Sequence, residues 1–325
     1  MKKIAITGAA GFIGFHLAKY YANKNVKLFL FDNFFKNKTQ DKYFKNLRNK
    51  RNVKFFNQDL SKPINKKKLP DKIDIFYHLA AINGTRFFYE MSYDLCKKNI
   101  LSSINVFELT SEIRIKKIVF SSSSEVYADS IKFNLLKLPT NEKNPVAFSV
   151  PTSSRYSYGL SKFIGEFLLT ELSKKIKIPI SIIRYHNIYG PRMGYNHVIP
   201  AMINKLNKRN KSILLPGYNE TRSFCYVNDA IIATHKIGFS KKTNNQIIHV
   251  GNSKGEIKIL SLLKKIMSIT KIQKKIIKQK SLDSSVSRRV PDTKKMRKLI
   301  NYDCKTTLNN GLIDTIDWYE NNNEI

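Results

Sequence analysis

Acidic residues, cysteine and long apolar runs are all scarce in this chain. Only 24 Asp and Glu stand against 58 Lys and Arg, a formal net charge of +34 over 325 residues. That deficit invites a nucleic-acid or membrane-surface reading. The lysines, however, are scattered along the whole length among abundant Asn and Ile and gather in no tail or patch. A compositional bias explains them more simply, and no specific nucleic-acid partner is expected. The three cysteines, Cys96, Cys225 and Cys304, are odd in number, widely spaced and not at metal-ligand spacing. They point to a reducing compartment and to no metal site. No apolar run reaches the roughly 18 residues needed to span a bilayer. Met1-Lys2-Lys3 before an apolar run superficially mimics a signal peptide, but the glycines that follow belong to a turn and no cleavage region is apparent. A soluble, cytoplasmic protein with no membrane partner is expected.

What the chain does have is a glycine-punctuated start, KIAITGAAGFIG from Lys3 to Gly14. Ile4 and Ile6 mark a short strand, and Phe12, Ile13, Leu17, Ala18 and Tyr21 continue at helical spacing. A second apolar strand, Val26 to Phe31, ends on Asp32, followed by Asn33. Strand, tight glycine turn, helix and an acid about 20 residues on form the dinucleotide pattern. Gly8 permits the turn, Gly11 lets backbone N–H groups approach a pyrophosphate at the helix N-terminus, and Gly14 allows close helix–strand packing. Asp32 suits a ribose 2′-hydroxyl and repels a 2′-phosphate, which favours NAD over NADP. Gly8, Gly11, Phe12, Ile13, Gly14, Asp32 and Asn33 are therefore the first candidate cofactor residues.

Further strands follow in alternation with helices. Val53 to Asn57 runs into Gln58-Asp59-Leu60, where Asp59 and Leu60 are placed beside an adenine. The strand Lys72 to His78 enters HLAA, whose small Ala80 and Ala81 let the backbone approach the cofactor. His78 has no His or Cys partner at metal spacing and reads as a packed strand-end residue. Asn83 to Arg86 forms a loop on the ligand side of the sheet, making Arg86 a candidate for an anionic sugar or phosphate. Lys36 to Arg51 reads as a solvated basic loop and helix. A long helical region passes through Asn99, and Lys117 to Phe120 is the next strand. The alternation implies an α/β, Rossmann-type doubly wound parallel sheet, and the length implies a second lobe.

That last strand opens into SSSSEVYAD, Ser121 to Asp129, a hydroxyl cluster on the ligand side. Downstream, Tyr158 and Lys162 are four apart and share a helix face. A lysine and a cationic nicotinamide beside the tyrosine lower its phenol towards use as a base. Tyr20 with Lys24 and Tyr93 with Lys97 share the spacing, but only Tyr158 has the serine cluster upstream and the small-residue SKxxGE context.

From TGAAGFIG through HLAA, Asn99, SSS-x-x-VY and Y-x-x-S-K, the chain resembles the extended short-chain dehydrogenase/reductase family, specifically its nucleotide-sugar epimerases, decarboxylases and dehydratases. The resemblance runs nearly end to end. It implies Ser123 as the substrate-orienting hydroxyl, Tyr158 as the base and Lys162 and Asn99 as cofactor residues. It further implies Asn187 on the diphosphate, Val198 at the nucleotide pocket, and Arg222 and Arg289 on phosphate, where arginines suit bidentate recognition. The NAD-binding domain is then 1–187 with return segments near 226–251, and 188–325 mainly binds a nucleotide sugar, UDP-linked by family habit. A homodimer through the helices near Asn99 and Tyr158, and a place in polysaccharide biosynthesis, follow from the same resemblance. The triad alone supports an NAD-dependent 4-epimerase working through a transient 4-keto sugar. The dehydratase acid pair is missing, since Ser124 precedes Glu125. Glu125 and Arg289 resemble UDP-glucuronate decarboxylases, which keeps decarboxylation as the alternative. A non-catalytic NAD-binding protein would be expected to have lost part of the triad.

Overall fold

The computed structural model describes residues 1–35, 42–149, 153–281 and 286–322. Seven strands form one parallel sheet: β1 (Lys2–Thr7), β2 (Val26–Asp32), β3 (Val53–Asn57), β4 (Ile75–His78), β5 (Ile118–Ser123), β6 (Ile180–Tyr185) and β7 (Gln246–Val250). Their order is β7-β6-β5-β4-β1-β2-β3, so the chain reverses direction across the sheet between β1 and β4. Such a reversal leaves a crevice at the carboxyl ends of the two strands, where ligands of open parallel sheets bind.

Alternating side chains sort the core into two faces. Ile4 and Ile6 of β1 join Leu17 and Tyr21 of helix α1 (Phe12–Ala22) on one side. Ala5 joins Phe76, Phe120 and Val106 on the other. Both faces are covered, which is why the central strands read as nearly continuous apolar runs. Helices α4 (Ser92–Glu112) and α6 (Ser157–Ile176) pack against each other over the second face. Helix α8 (Val227–Phe239) returns to pack on α1 before β7 extends the sheet beside β6.

Two strand boundaries differ from the sequence reading. The run Lys72 to His78 breaks at Asp74, whose carboxylate accepts the Lys3 N–H at 2.9 Å and pairs with Lys116 at 2.7 Å. Strand β5 extends through Ser123, which pairs in register with Tyr185, so three of the expected loop serines are strand residues. In the basic segment Lys36 to Arg51, helix α2 spans Lys42–Arg48, and residues 36–41 lie outside the described residues. The short helices α3 (Thr85–Glu90) and α5 (Ala128–Lys132) follow β4 and β5.

Beyond Tyr185 the chain adds α7 (Val198–Asn207), α9 (Ile259–Thr270), α10 (Lys294–Ile300) and α11 (Leu308–Asn321). With them come a parallel strand pair, Ser212–Pro216 and Lys275–Gln279, and a three-stranded sheet of Thr221–Ser223, Glu256–Lys258 and Arg288–Arg289. Among the described residues no helix is long and apolar enough to cross a membrane.

Three histidines, His78, His186 and His249, are at most 2% exposed. Burial pushes His78 and His186 from 6.5 down to about 3, and His249 well below its ordinary value. In the unfolded chain each binds a proton as pH falls through about 6.5, while the folded protein does not. The unfolded state then carries more protons, so stability falls with falling pH. Urea unfolding at pH 7.5 and pH 5 is expected to show a lower midpoint at pH 5. Each histidine contributes up to about 1.4 kcal/mol per pH unit below 6.5.

Candidate active site

At the strand reversal, the β1 turn lies against the end of β4 with almost no space between. Gly8 has φ +66°, and a Cβ there would stand 2.8 Å from the Ala80 Cα. A Cβ on Gly14 would reach 2.0 Å from the Gly8 carbonyl oxygen. Only glycine fits at either position, and the turn leaves the N-terminus of α1 without a side-chain cap or an acid in its first turn. Those unclaimed N–H groups and the helix dipole favour an anion. Asp32 is fixed at the end of β2, accepting the Ala10 N–H at 2.9 Å and the Phe34 N–H at 2.7 Å.

A cleft of about 420 Å³ opens here. Gly8, Gly11, Phe12, Ile13, Gly14, Asp32 and Asn33 line one end, with Asp59 and Leu60 beside them and Ala80, Ala81 and Asn99 along the floor. Asp59 is set by hydrogen bonds from the Ser61 N–H and hydroxyl. Asn99 clamps the loop after β4, accepting the Ile82 N–H at 2.7 Å and donating to the Ile82 carbonyl and the Ser161 hydroxyl. A backbone cradle without room for Cβ atoms, an open helix N-terminus and a fixed carboxylate fit a dinucleotide of the NAD type.

Ser121, Ser122, Ser123, Ser124, Glu125 and Tyr158 line the other end of the cleft. The Ser123 hydroxyl accepts the Glu125 N–H at 3.2 Å. Lys162 sits behind the wall rather than in it. Its ammonium lies 3.4 Å from the Ser121 hydroxyl, 4.9 Å from the Phe120 ring centroid and 5.9 Å from that of Tyr158. The expected lowering of the Tyr158 phenol is not what this arrangement produces. Burial and then the Glu125 carboxylate push it up, and a hydrogen bond with Ser123 pulls it partly back. The two rival pairs are simple cation–aromatic contacts, Lys24 over Tyr20 and Lys97 over the exposed Tyr93.

Glu125 is held from two sides. Arg289 donates to both of its carboxylate oxygens and Arg155 to one. Burial pushes the Glu125 carboxyl up, but the two guanidiniums more than offset this and hold it well below the usual carboxylate range. The cluster thus carries one net positive charge next to Tyr158. The Arg289 Nε is buried without a hydrogen-bond partner among the described residues, and Arg289 lines the cleft. Phe88 of α3 stacks on Tyr158, ring centroids 5.4 Å apart and 13° from parallel, and the Arg155 guanidinium lies 5.1 Å from the Phe88 ring centroid. Sequence reasoning missed Arg155 and Phe88. The only available signal for Arg155 was its position three residues before Tyr158.

The remaining candidates divide. Asn187, at φ +43°, donates to the Ser223 carbonyl and lines the cleft, as does Val198 at the start of α7. Arg222 does not line it: its guanidinium is taken by Glu220 at 2.6 Å and by the carbonyls of Thr221 and Ser287. It is Arg289's register partner, and burial and then Arg289 lower it to about 10. Arg86 does not line the cleft. It is 65% exposed on α3 and paired with Glu90 one turn on, because the helix begins at Thr85 and sets the two side chains four residues apart. His78 is a packed residue, hydrogen-bonded to Thr7 at 2.8 Å. Among the described residues no group of three potential metal ligands occurs.

The profile of the NAD dependent epimerase/dehydratase family matches residues 4–251. A UDP-N-acetyl-alpha-D-glucosaminuronate decarboxylase of Bacillus cytotoxicus is 29% identical over 98% of this chain and 98% of its own. A dTDP-D-glucose 4,6-dehydratase of Dictyostelium discoideum is 30% identical over 83% of this chain and 62% of its own. Among solved structures, the UDP-glucuronic acid 4-epimerase of Bacillus cereus, in complex with UDP-glucuronic acid and NAD, superposes with a TM-score of 0.82. It is 26% identical and covers 98% of this chain and 99% of its own.

Replacing Glu125 by Gln leaves two buried guanidiniums without their counter-charge. At neutral pH this is expected to cost about 3 kcal/mol of stability, measured by urea unfolding. Because the folded carboxyl lies below its ordinary value of 4.5, its contribution is full above that pH and is lost as pH falls through the folded value. The gap between wild type and Glu125→Gln should therefore narrow below pH 4.5.

Proposed function

Since the chain belongs to the NAD dependent epimerase/dehydratase family, we propose that it is an NAD-dependent decarboxylase of a UDP-linked uronic sugar. The observation that carries this reading is the Glu125 carboxylate between Arg155 and Arg289, with the Arg289 Nε–H left without a partner among the described residues and Arg289 in the cleft wall. A neutral hexose offers that charge nothing to bind. A sugar with a carboxylate on carbon 5 supplies an anion of the right sign, and arginine matches it in geometry as well as charge.

The glycine turn, Asp32, Asp59 and the Ala80–Ala81 floor would hold NAD, which when bound would supply a reversible hydride acceptor for carbon 4 and a positive charge that would lower the buried Tyr158 phenol. Tyr158 takes the proton of the carbon-4 hydroxyl while Ser123 holds that hydroxyl in line. The carboxylate then lies β to a ketone. The electrons of its bond to carbon 5 flow into the carbonyl as carbon dioxide leaves, the Tyr158 and Ser123 hydroxyls donate to the oxygen that gains charge, and a proton from water then adds to carbon 5 to restore the carbon-4 ketone for reduction. Arg289 orients the carboxylate, and Glu125, fixed by Arg155, holds Arg289. Residues 1–187 with 226–251 carry the cofactor, and the rest of 188–325 carries the nucleotide, with Asn187 and Val198 in its wall.

The second reading is the 4-epimerase. Ser123, Tyr158 and Lys162 suffice for it, and the Bacillus cereus 4-epimerase of the same fold is described with UDP-glucuronic acid. Dehydration is disfavoured because Ser124 stands where an acid would be needed.

Incubation with NAD and UDP-glucuronate, read by product mass and proton NMR, is expected to show loss of carbon dioxide. An unchanged mass with an inverted carbon-4 proton would replace this reading by the epimerase. Tyr158→Phe is expected to lower kcat by at least about 100-fold. Unimpaired turnover in that variant would remove Tyr158 from the chemistry. A homodimer through the outer faces of α4 and α6, which expose Tyr93 and Phe167, is part of the proposal. A monomer mass at micromolar concentration would refute it.

A further inference from the structure

Two of the three cysteines, 79 residues apart in sequence, meet in the fold: the Cys225 and Cys304 sulfurs are 3.5 Å apart. Both backbones are pinned. Cys225 lies in the strand Cys225–Tyr226, in register with Ile188, and its N–H donates to the Asn187 carbonyl at 3.1 Å. Cys304 lies in the connection between α10 and α11, which is anchored on both sides to Asp229 in the first turn of α8. The Tyr302 hydroxyl and the Lys305 N–H donate to one Asp229 oxygen at 2.6 and 3.1 Å, and the Thr306 N–H to the other at 2.9 Å. The residue that follows Cys225 by four positions therefore holds Cys304 opposite it.

We propose that Cys225 and Cys304 are a thiol pair that closes reversibly to a disulfide under oxidation, fastening the α10–α11 connection to the strand that leads into α8. The contact must shorten to about 2.05 Å, a movement within reach of side-chain rotation and small backbone shifts. Access is unequal: Cys225 is fully buried and Cys304 half-buried. Attack on an external disulfide thus starts at Cys304, whose thiolate forms a bond to one sulfur and expels the other as a thiol. The Cys225 thiol then loses its proton and attacks the Cys304 sulfur, releasing the second external thiol. Two protein thiols are oxidised and one external disulfide is reduced to two thiols. The bond forms beside the cleft wall, since Phe224 and Asn187, the neighbours of Cys225 in sequence and in hydrogen bonding, both line the cleft.

The test treats the full chain with glutathione disulfide and maps peptides without reduction. A peptide containing Cys225 joined to one containing Cys304 is expected, with a rise of several degrees in unfolding midpoint, both reversed by dithiothreitol. In a Cys96→Ser variant both remaining thiols should become untitratable without addition of glutathione mass. Cys304→Ser, a change at a half-buried position, should give neither the linked peptide nor the midpoint rise. Persistence of free Cys225 thiol, a glutathione adduct that stays on Cys304, or a link involving Cys96 would each overturn the proposal.

Discussion

Everything in this molecule depends on how closely two backbone segments approach at the reversal of the parallel sheet. The turn after β1 presses on the end of β4 so tightly that a methyl group on Gly8 would meet the Ala80 backbone, and one on Gly14 would overlap the Gly8 carbonyl. Close packing at this point sets the crevice, directs the start of α1 into it and brings the end of β2, with Asp32, alongside. A side chain in the turn would separate the helix from the strand and close the space a pyrophosphate needs. Helices on both faces then bury the strands, and the uncapped start of α1 lines the crevice.

The second constraint is electrostatic. A buried carboxylate costs several kcal/mol in desolvation unless it is paired and hydrogen-bonded. Glu125 meets that condition twice over, through one guanidinium 30 residues on and another 164 residues on. Arg155 comes from the turn before α6 and Arg289 from the short strand that pairs with Thr221–Ser223. The arrangement leaves an excess positive charge in a wall otherwise made of hydroxyls and an aromatic stack. The Tyr158 phenol, stacked on Phe88, is held protonated by burial and by the nearby Glu125 carboxylate. Lys162, which sequence spacing set beside the tyrosine, spends its charge over Phe120 and on Ser121.

Local pattern was a sufficient guide wherever one element carries its own reason. The glycines at 8, 11 and 14 declare a turn, the acid at 32 declares a strand end, and Tyr158 and Lys162 declare a helix face, because each depends on neighbours a few residues away. Twelve of the candidate cofactor residues, from Gly8 to Asn99, line a single cleft for that reason. Arg86 lies outside the cleft lining, and a lone arginine in a ligand-side loop has no local feature to say which way it turns. A helix starting one residue earlier gave it Glu90 as a partner and solvent as its surroundings.

The sequence by itself determined the alternation of strand and helix, the nucleotide turn and the identity of the hydroxyl and phenol groups, since periodicity and glycine placement are short-range properties of the chain. Tertiary structure alone decided which distant groups meet. Glu125 and Arg289 are 164 residues apart, Cys225 and Cys304 79, and Asp229 reaches Thr306 across 77. No spacing rule connects such positions, because their contact is fixed by the order of strands in the sheet and by the packing of the later elements against it.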